Sequence, residues 1–145
     1  MTMSWHTMME FEPPLIGCVI SNRNYSYRLL KSGKCCVINI PSVEIAQKVV
    51  GCGNCSGADV DKFSQFGLNT TPATTVDVPM LDACFANIEC QVIDTKMVNR
   101  YGFFVLEVKQ AWINPRFKNP KTMHHQGFGR FMIAGERISL KSAMR

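Results

Sequence analysis

Ala83-Cys-Phe-Ala-Asn-Ile-Glu-Cys-Gln-Val-Ile-Asp-Thr95 and Phe103-Phe-Val-Leu-Glu-Val-Lys-Gln-Ala-Trp-Ile113 flank a segment holding Asn99-Arg-Tyr-Gly102, and these stretches decide the fold. In the first, Ala86, Ile88, Cys90, Val92 and Asp94 alternate with Phe85, Asn87, Glu89, Gln91 and Ile93. In the second, Phe104, Leu106, Val108 and Gln110 alternate with Phe103, Val105, Glu107 and Lys109. A period of two places successive side chains on opposite faces of a strand. The Asn99–Gly102 segment supplies turn residues for a hairpin. Two neighbouring strands joined this way predict an antiparallel sheet or barrel and not a doubly wound parallel sheet.

Shorter elements lie upstream. Leu15-Ile-Gly-Cys-Val-Ile20 is a continuous apolar run between Pro13-Pro14 and polar Ser21-Asn-Arg-Asn24, the pattern of a strand covered on both faces. A short helix is predicted over Ser26 to Lys31, capped by Asn24 or Ser26 and ended by Gly33. Cys35 to Ile40 reads as a strand stopped by Pro41. Ser42 reads as the cap of a helix over Val43 to Val50. The glycines of Gly51-Cys-Gly-Asn-Cys-Ser-Gly57 predict a tight turn, and Asp59 to Phe66 another short helix closed by Gly67. Asn69 to Pro79 reads as a connection or an edge strand, Asn114 to Gln126 as a polar, basic loop, and Phe128 to Glu136 as holding a last strand. The expectation is one domain over residues 1–145, with a polar tail from 137 to 145.

With 145 residues, 46% of them hydrophobic and 19% charged, the chain can bury a core without disulfides, and disorder is excluded. The net charge of +5 suits a small anionic ligand and is too slight to predict nucleic acid. The longest apolar run is too short for a bilayer, and Met1 to Pro14 lacks a basic leader. No membrane partner is expected. Seven cysteines without regular spacing predict reduced thiols in a cytoplasmic protein.

Three groups of residues could carry chemistry. Ser21-Asn-Arg-Asn-Tyr-Ser26 follows a buried strand and opens a helix, so it joins hydroxyls, a guanidinium and helix-end amides in a phosphate receptor; the alternative is a polar turn with an exposed Arg23. Cys52-Gly-Asn-Cys55 is a CxxC, readable as a redox pair, as half of a metal site, or as two small thiols in a turn. No second CxxC completes a metal site, and no metal is predicted. His124-His125 lie near Lys118, Lys121 and Arg130, as an anion or substrate contact or as part of a solvated loop.

Taken in order, several motifs resemble the flavin reductase-like family, in its flavoredoxin and ferric-reductase branch. They are Met1-Thr-Met-Ser-Trp-His6, Glu12-Pro-Pro-Leu-Ile16, Ser21-Asn-Arg-Asn-Tyr-Ser26, Asn54-Cys-Ser-Gly57, Asp61-Lys-Phe63 and Phe66-Gly-Leu68. The strands at Phe85-Ala-Asn-Ile-Glu-Cys90 and Gly102-Phe-Phe-Val-Leu106 fit as well, so the resemblance runs from Met1 to about Glu136. It implies a mainly β, FMN-binding split barrel, an antiparallel Greek-key barrel with a few short helices. It also implies a homodimer holding FMN, with NADH or NADPH as electron donor and flavin, ferric iron or a partner protein as acceptor. By the same resemblance, Thr2, Ser4 and Trp5 lie along the flavin. Ser21, Asn22, Arg23 and Ser26 hold its phosphate, and Ser56, Asp61, Lys62 and Phe63 border it. His124 and His125 are implied substrate contacts. The flavin carries the chemistry, so no general acid or base is expected. Because the Met-Thr-x-Ser-Trp motif begins at residue 1, the family's first strand is expected to be missing. Cys52 stands where an apolar residue is expected.

Overall fold

The computed structural model describes residues 1–142. Its strands are β1 (His6–Phe11), β2 (Pro14–Val19), β3 (Cys35–Ile40), β4 (Thr70–Thr71), β5 (Met80–Leu81), β6 (Ala86–Asp94), β7 (Phe103–Ile113), β8 (Met123–Gly127) and β9 (Arg130–Ile133). The helices are α1 (Tyr25–Gly33), α2 (Ala46–Asn54), α3 (Lys62–Gln65) and α4 (Val98–Tyr101). Five strands make one antiparallel sheet in the order β1-β2-β7-β6-β3, while β4 pairs with β5 and β8 with β9. The fold is thus mainly β and antiparallel, as the alternation at 83–113 predicts.

The core lies on one face of this sheet. Ile16, Cys18, Cys90, Phe104 and Leu106 are buried there, and α1 covers them with Tyr27 and Leu30. The Tyr27 and Phe104 rings meet edge to face at 5.6 Å, and the Tyr27 hydroxyl donates to the Val98 carbonyl at 3.4 Å. The Phe104–Leu106–Val108 face of β7 is the one turned to the core, as its period of two requires. β2 lies between β1 and β7, and Ile16, Gly17 and Cys18 are all buried, as expected for the apolar run.

The other face of β6 is polar and yet buried. Glu89 is fully enclosed. Its carboxylate accepts from the amides and hydroxyls of both Thr74 and Thr75 and, at 2.7 Å, from the Trp112 indole. Asn39 and Asn87 accept from the Leu81 amide, and Asn87 also donates to the Leu81 carbonyl. The connection between α3 and β6 is therefore fastened over the sheet by hydrogen bonds at Thr74, Thr75 and Leu81. Alternation of hydrophobic residues identifies the core face of β6 and is silent about this one.

Elsewhere the structure departs from expectation. Gly51 to Asn54 continue α2 instead of breaking it. A Cβ on Gly51 would stand 2.4 Å from the Phe66 ring, and one on Gly53 2.7 Å from the Thr2 hydroxyl. These glycines serve close packing rather than a turn. Ser42 precedes a single 3-10 turn over Val43–Ile45, and its buried hydroxyl caps nothing. α1 ends not at a left-handed Gly33 but at Lys34, with φ 58°. The Asp59–Phe66 helix shrinks to α3. Asn99–Tyr101 belong to the helical turn α4 rather than to a bare hairpin loop. His124 and His125 sit on β8, not in a loop. The last three residues of the expected tail lie outside the described residues.

Burial pushes the Glu89 carboxyl up, but the hydrogen bonds from Thr75, Trp112 and Thr74 outweigh it and hold the pKa at about 2, below its ordinary 4.5. A depressed carboxylate stabilises the fold above its unfolded pKa and loses that contribution as pH falls toward the folded one. Acid unfolding followed by circular dichroism should show stability declining between pH 4.5 and 2, and Glu89→Gln should flatten that window. Glu89→Ala, which orphans five donors, should cost roughly 3 kcal/mol or more in urea unfolding.

Candidate functional site

Two backbone hydrogen bonds bring three distant segments together. The Val19 amide donates to the Trp5 carbonyl at 3.0 Å, and the Ile20 amide donates to the Gly102 carbonyl at 2.9 Å. The chain before β1, the loop after β2 and the turn before β7 therefore converge at one end of the sheet. Between them lies an open cleft of about 510 Å³, within the usual size of a small-ligand site.

Of the residues singled out in the sequence, Thr2, Ser4, Trp5, Ser21 and Asn22 line this cleft together. Trp5 is 71% exposed, so most of its side chain faces solvent. The Ser21–Asn24 loop is shaped by its own backbone: the Asn24 amide donates to the Ser21 carbonyl at 2.9 Å, and the Arg23 amide to the Ser21 hydroxyl at 3.3 Å. Helix α1 then starts with neither a side-chain cap nor an acidic residue in its first turn. The Tyr27 amide of this first turn donates to the Asn24 carbonyl at 3.0 Å, and the helix start carries the positive end of the dipole. Ser26 lies in that first turn, half-buried.

Arg23 does not line the cleft. Arg100 does, from α4, with Asn99 and Tyr101. Sequence reading treated Asn99–Tyr101 as turn residues only; the signal it lacked is the Ile20–Gly102 contact, which no local pattern reveals. Gly102 is needed at that crossing. Its φ is 66°, and a Cβ there would stand 2.5 Å from the Ile20 carbonyl oxygen.

Ser56, Asp61, Lys62 and Phe63 form a second group beside the cleft. Thr2 connects the two groups through its contact with Gly53. The Ser56 hydroxyl accepts from the Ala58 amide. Asp61 caps α3, accepting from the Ser64 hydroxyl and the Phe63 amide, and these bonds hold its carboxyl below the usual range. The Lys62 ammonium donates to the carbonyls of Cys52 and Cys55, neutralising the negative end of α2. Phe63 is 47% exposed.

The two histidines stand apart. His124 Nε2 is 3.2 Å from the Thr122 hydroxyl, and the His125 ring packs on Phe131 at 5.1 Å. Neither lines the cleft. Among the described residues no three His, Cys, Asp or Glu side chains gather as metal ligands, so Cys52 and Cys55 find no partners for a metal site. No described helix is long and apolar enough to cross a membrane.

Comparison with known proteins places the chain by family and fold. The family model described as "Flavin reductase like domain" matches residues 1–132. An uncharacterised protein of Archaeoglobus fulgidus is 29% identical over 136 residues, covering 90% of this chain and 77% of its own. Among solved structures, the FMN-binding domain of a flavin reductase-like enzyme from Shewanella baltica superposes with a TM-score of 0.88 at 22% identity. The match covers 96% of this chain and 80% of that one. Flavoredoxin of Desulfovibrio vulgaris superposes at 0.85 and 20% identity, over 97% and 81%. The fold is the split barrel expected from the sequence.

Gly102→Ala combines a strained φ with a clash against backbone. Its expected cost is roughly 2–3 kcal/mol, read as a fall in Tm of several degrees. A variant as stable as the parent would remove Gly102 from this account of the cleft.

Proposed function

The chain belongs to the flavin reductase-like domain family, and from that premise we propose that it is an FMN-binding oxidoreductase with its flavin in the cleft at the end of β2. The observation that carries this reading is the convergence of Thr2, Ser4 and Trp5 with Ser21 and Asn22 on one cleft next to the uncapped start of α1. The residues suit the group. Ser21, Asn22 and the first-turn amides of α1, with Ser26, would hold the phosphate, and Arg100 supplies the positive charge. Thr2 and Ser4 offer hydroxyls, and Trp5 an open aromatic face, to the ring system. Ser56, Asp61, Lys62 and Phe63 shape the adjoining wall.

Bound FMN supplies hydride and single-electron chemistry. The chain's own part is to bind, orient and partly desolvate it. The cleft is open enough for a donor such as NADH or NADPH to reach the flavin, and for free flavin, ferric iron or a partner protein to take the electrons onward. The likeness to flavoredoxin favours a second reading, an electron carrier without nicotinamide turnover of its own. Anaerobic stopped-flow with NADH and NADPH separates the two, since only the reductase bleaches its flavin in catalytic time.

A homodimer accompanies this reading. All six residues of β1 are exposed on an edge strand, and the β8–β9 hairpin presents Phe128, Met132 and Ile133 to solvent. His124 and His125 would then meet substrate only across subunits. Light scattering should give twice the chain mass, and a monomer at micromolar concentration would remove both histidines from the site.

The central test is an absorbance titration with FMN. Micromolar or tighter binding is expected, weakened about tenfold by Ser21→Ala and by Arg100→Ala with the fold intact by circular dichroism. A wild-type chain that stays colourless would mean a barrel that no longer binds flavin.

A further inference from the structure

Five of the seven cysteines have readily stated places. Cys18, Cys84 and Cys90 are buried, and burial pushes the thiols of Cys18 and Cys84 up to about 11. Cys36 faces Cys90 across the β3–β6 ladder and is held protonated by that neighbour's hydrogen bond and by burial, with Cys35 beside it on β3. Cys52 and Cys55 differ. Both are free and only half-buried; Cys52 lies in the last turn of α2, and Cys55 is the extended residue that caps it.

We propose that Cys52 and Cys55 are a dithiol redox site whose substrates are low-molecular-weight disulfides of the glutathione type. Because α2 stays helical through Asn54, the two Cα atoms stand about 5 Å apart by helix rise and radius. That lies inside the span of roughly 4.4–6.8 Å that a disulfide bridges. Gly53 between them carries no side chain. Lys62 binds the carbonyls of both cysteines and so fixes the last turn on which closure depends. The Cys55 thiol donates to the Gly51 carbonyl at 3.4 Å, which keeps it on the helix instead of free in solvent.

The reaction balances within these groups. One thiol loses its proton to solvent and attacks a sulfur of the small disulfide. A mixed disulfide forms and one small thiolate leaves. The second protein thiol, also deprotonated, attacks the protein sulfur of that mixed disulfide. The Cys52–Cys55 bond forms and the second small thiolate leaves. Two electrons pass from the pair to the small disulfide, and the two small thiolates take up the two protons. Burial raises the Cys52 thiol, and the Lys62 charge offsets part of that rise. Thr2, resting on Gly53, places this pair against the wall of the cleft, so two redox groups would share one piece of backbone.

The test uses the reduced whole chain incubated with glutathione disulfide, quenched with iodoacetamide and digested with trypsin. The peptide from Val49 to Lys62 contains both cysteines and none of the other five. It should lose two hydrogens, about 2 Da, and escape alkylation, and dithiothreitol should reverse both changes. Cys52→Ser and Cys55→Ser should each stop at a stable glutathione adduct on the remaining cysteine. Cys84 and Cys90 should stay unreacted throughout, which certifies the native fold. A wild-type peptide that remains doubly alkylated, or stops at a mixed disulfide, overturns the proposal. FMN titration of the same reduced sample reports on the flavin reading separately: failure to bind there leaves the dithiol site standing.

Discussion

The hydrogen bond from the Ile20 amide to the Gly102 carbonyl is the contact on which the cleft end of this molecule depends. It joins the end of β2 to the start of β7. The loop leaving β2 and the turn entering β7 are thereby pressed together before either has any side-chain reason to meet. A second bond, from Val19 to the Trp5 carbonyl, hangs the N-terminal segment on the same spot. Backbone geometry thus assembles the cleft, and the side chains lining it only have to be chosen for what they bind. A residue with a Cβ at position 102 would collide with the Ile20 carbonyl, so the crossing demands glycine.

A different device holds the opposite face. A buried carboxylate is costly unless every lone pair is used, and Glu89 meets that condition with donors from two consecutive threonines and a tryptophan. This charge holds Thr74 and Thr75 of the long connection from α3 to β6, and Asn39 and Asn87 hold Leu81 further along it. Lys62 performs the mirrored task at the end of α2, where a cation satisfies carbonyls that the helix leaves open. Each isolated charge closes off one loop, which lets a chain with few apolar residues per loop stay ordered around an open cleft.

Much of this was legible in the sequence where one segment answers to its own periodicity. The runs at 15–20, 35–40 and 103–113 became strands because alternation and β-branching act locally. The Ser21–Ser26 stretch and Thr2, Ser4 and Trp5 were singled out by their motifs, and the structure brings Thr2, Ser4, Trp5, Ser21, Asn22 and Asn24 to one cleft. Arg100 and not Arg23 lines that cleft, because which cation faces it is settled by a crossing between strands far apart in sequence. The glycines at 51 and 53 were read as breakers, but a ring of Phe66 and the hydroxyl of Thr2 use the missing Cβ atoms as seats, and the helix continues beneath them. His124 and His125 looked like loop residues because a short two-stranded hairpin with a polar surface carries no hydrophobic period to betray it.

The β-ladders also imply an order of assembly. β6 and β7 are neighbours in sequence, joined by one helical turn, and their pairing closes a short loop. β2 must instead find β7 from the far end of the chain, matching Leu15 to Glu107 and Val19 to Phe103. Loop-closure entropy makes the first event fast and the second slow. The cleft does not exist until the slow event is over, because its walls come from both sides of the β2–β7 seam. A ligand of this cleft can therefore hold the finished sheet closed without guiding its formation, acting on the unfolding rate while leaving the folding rate unchanged.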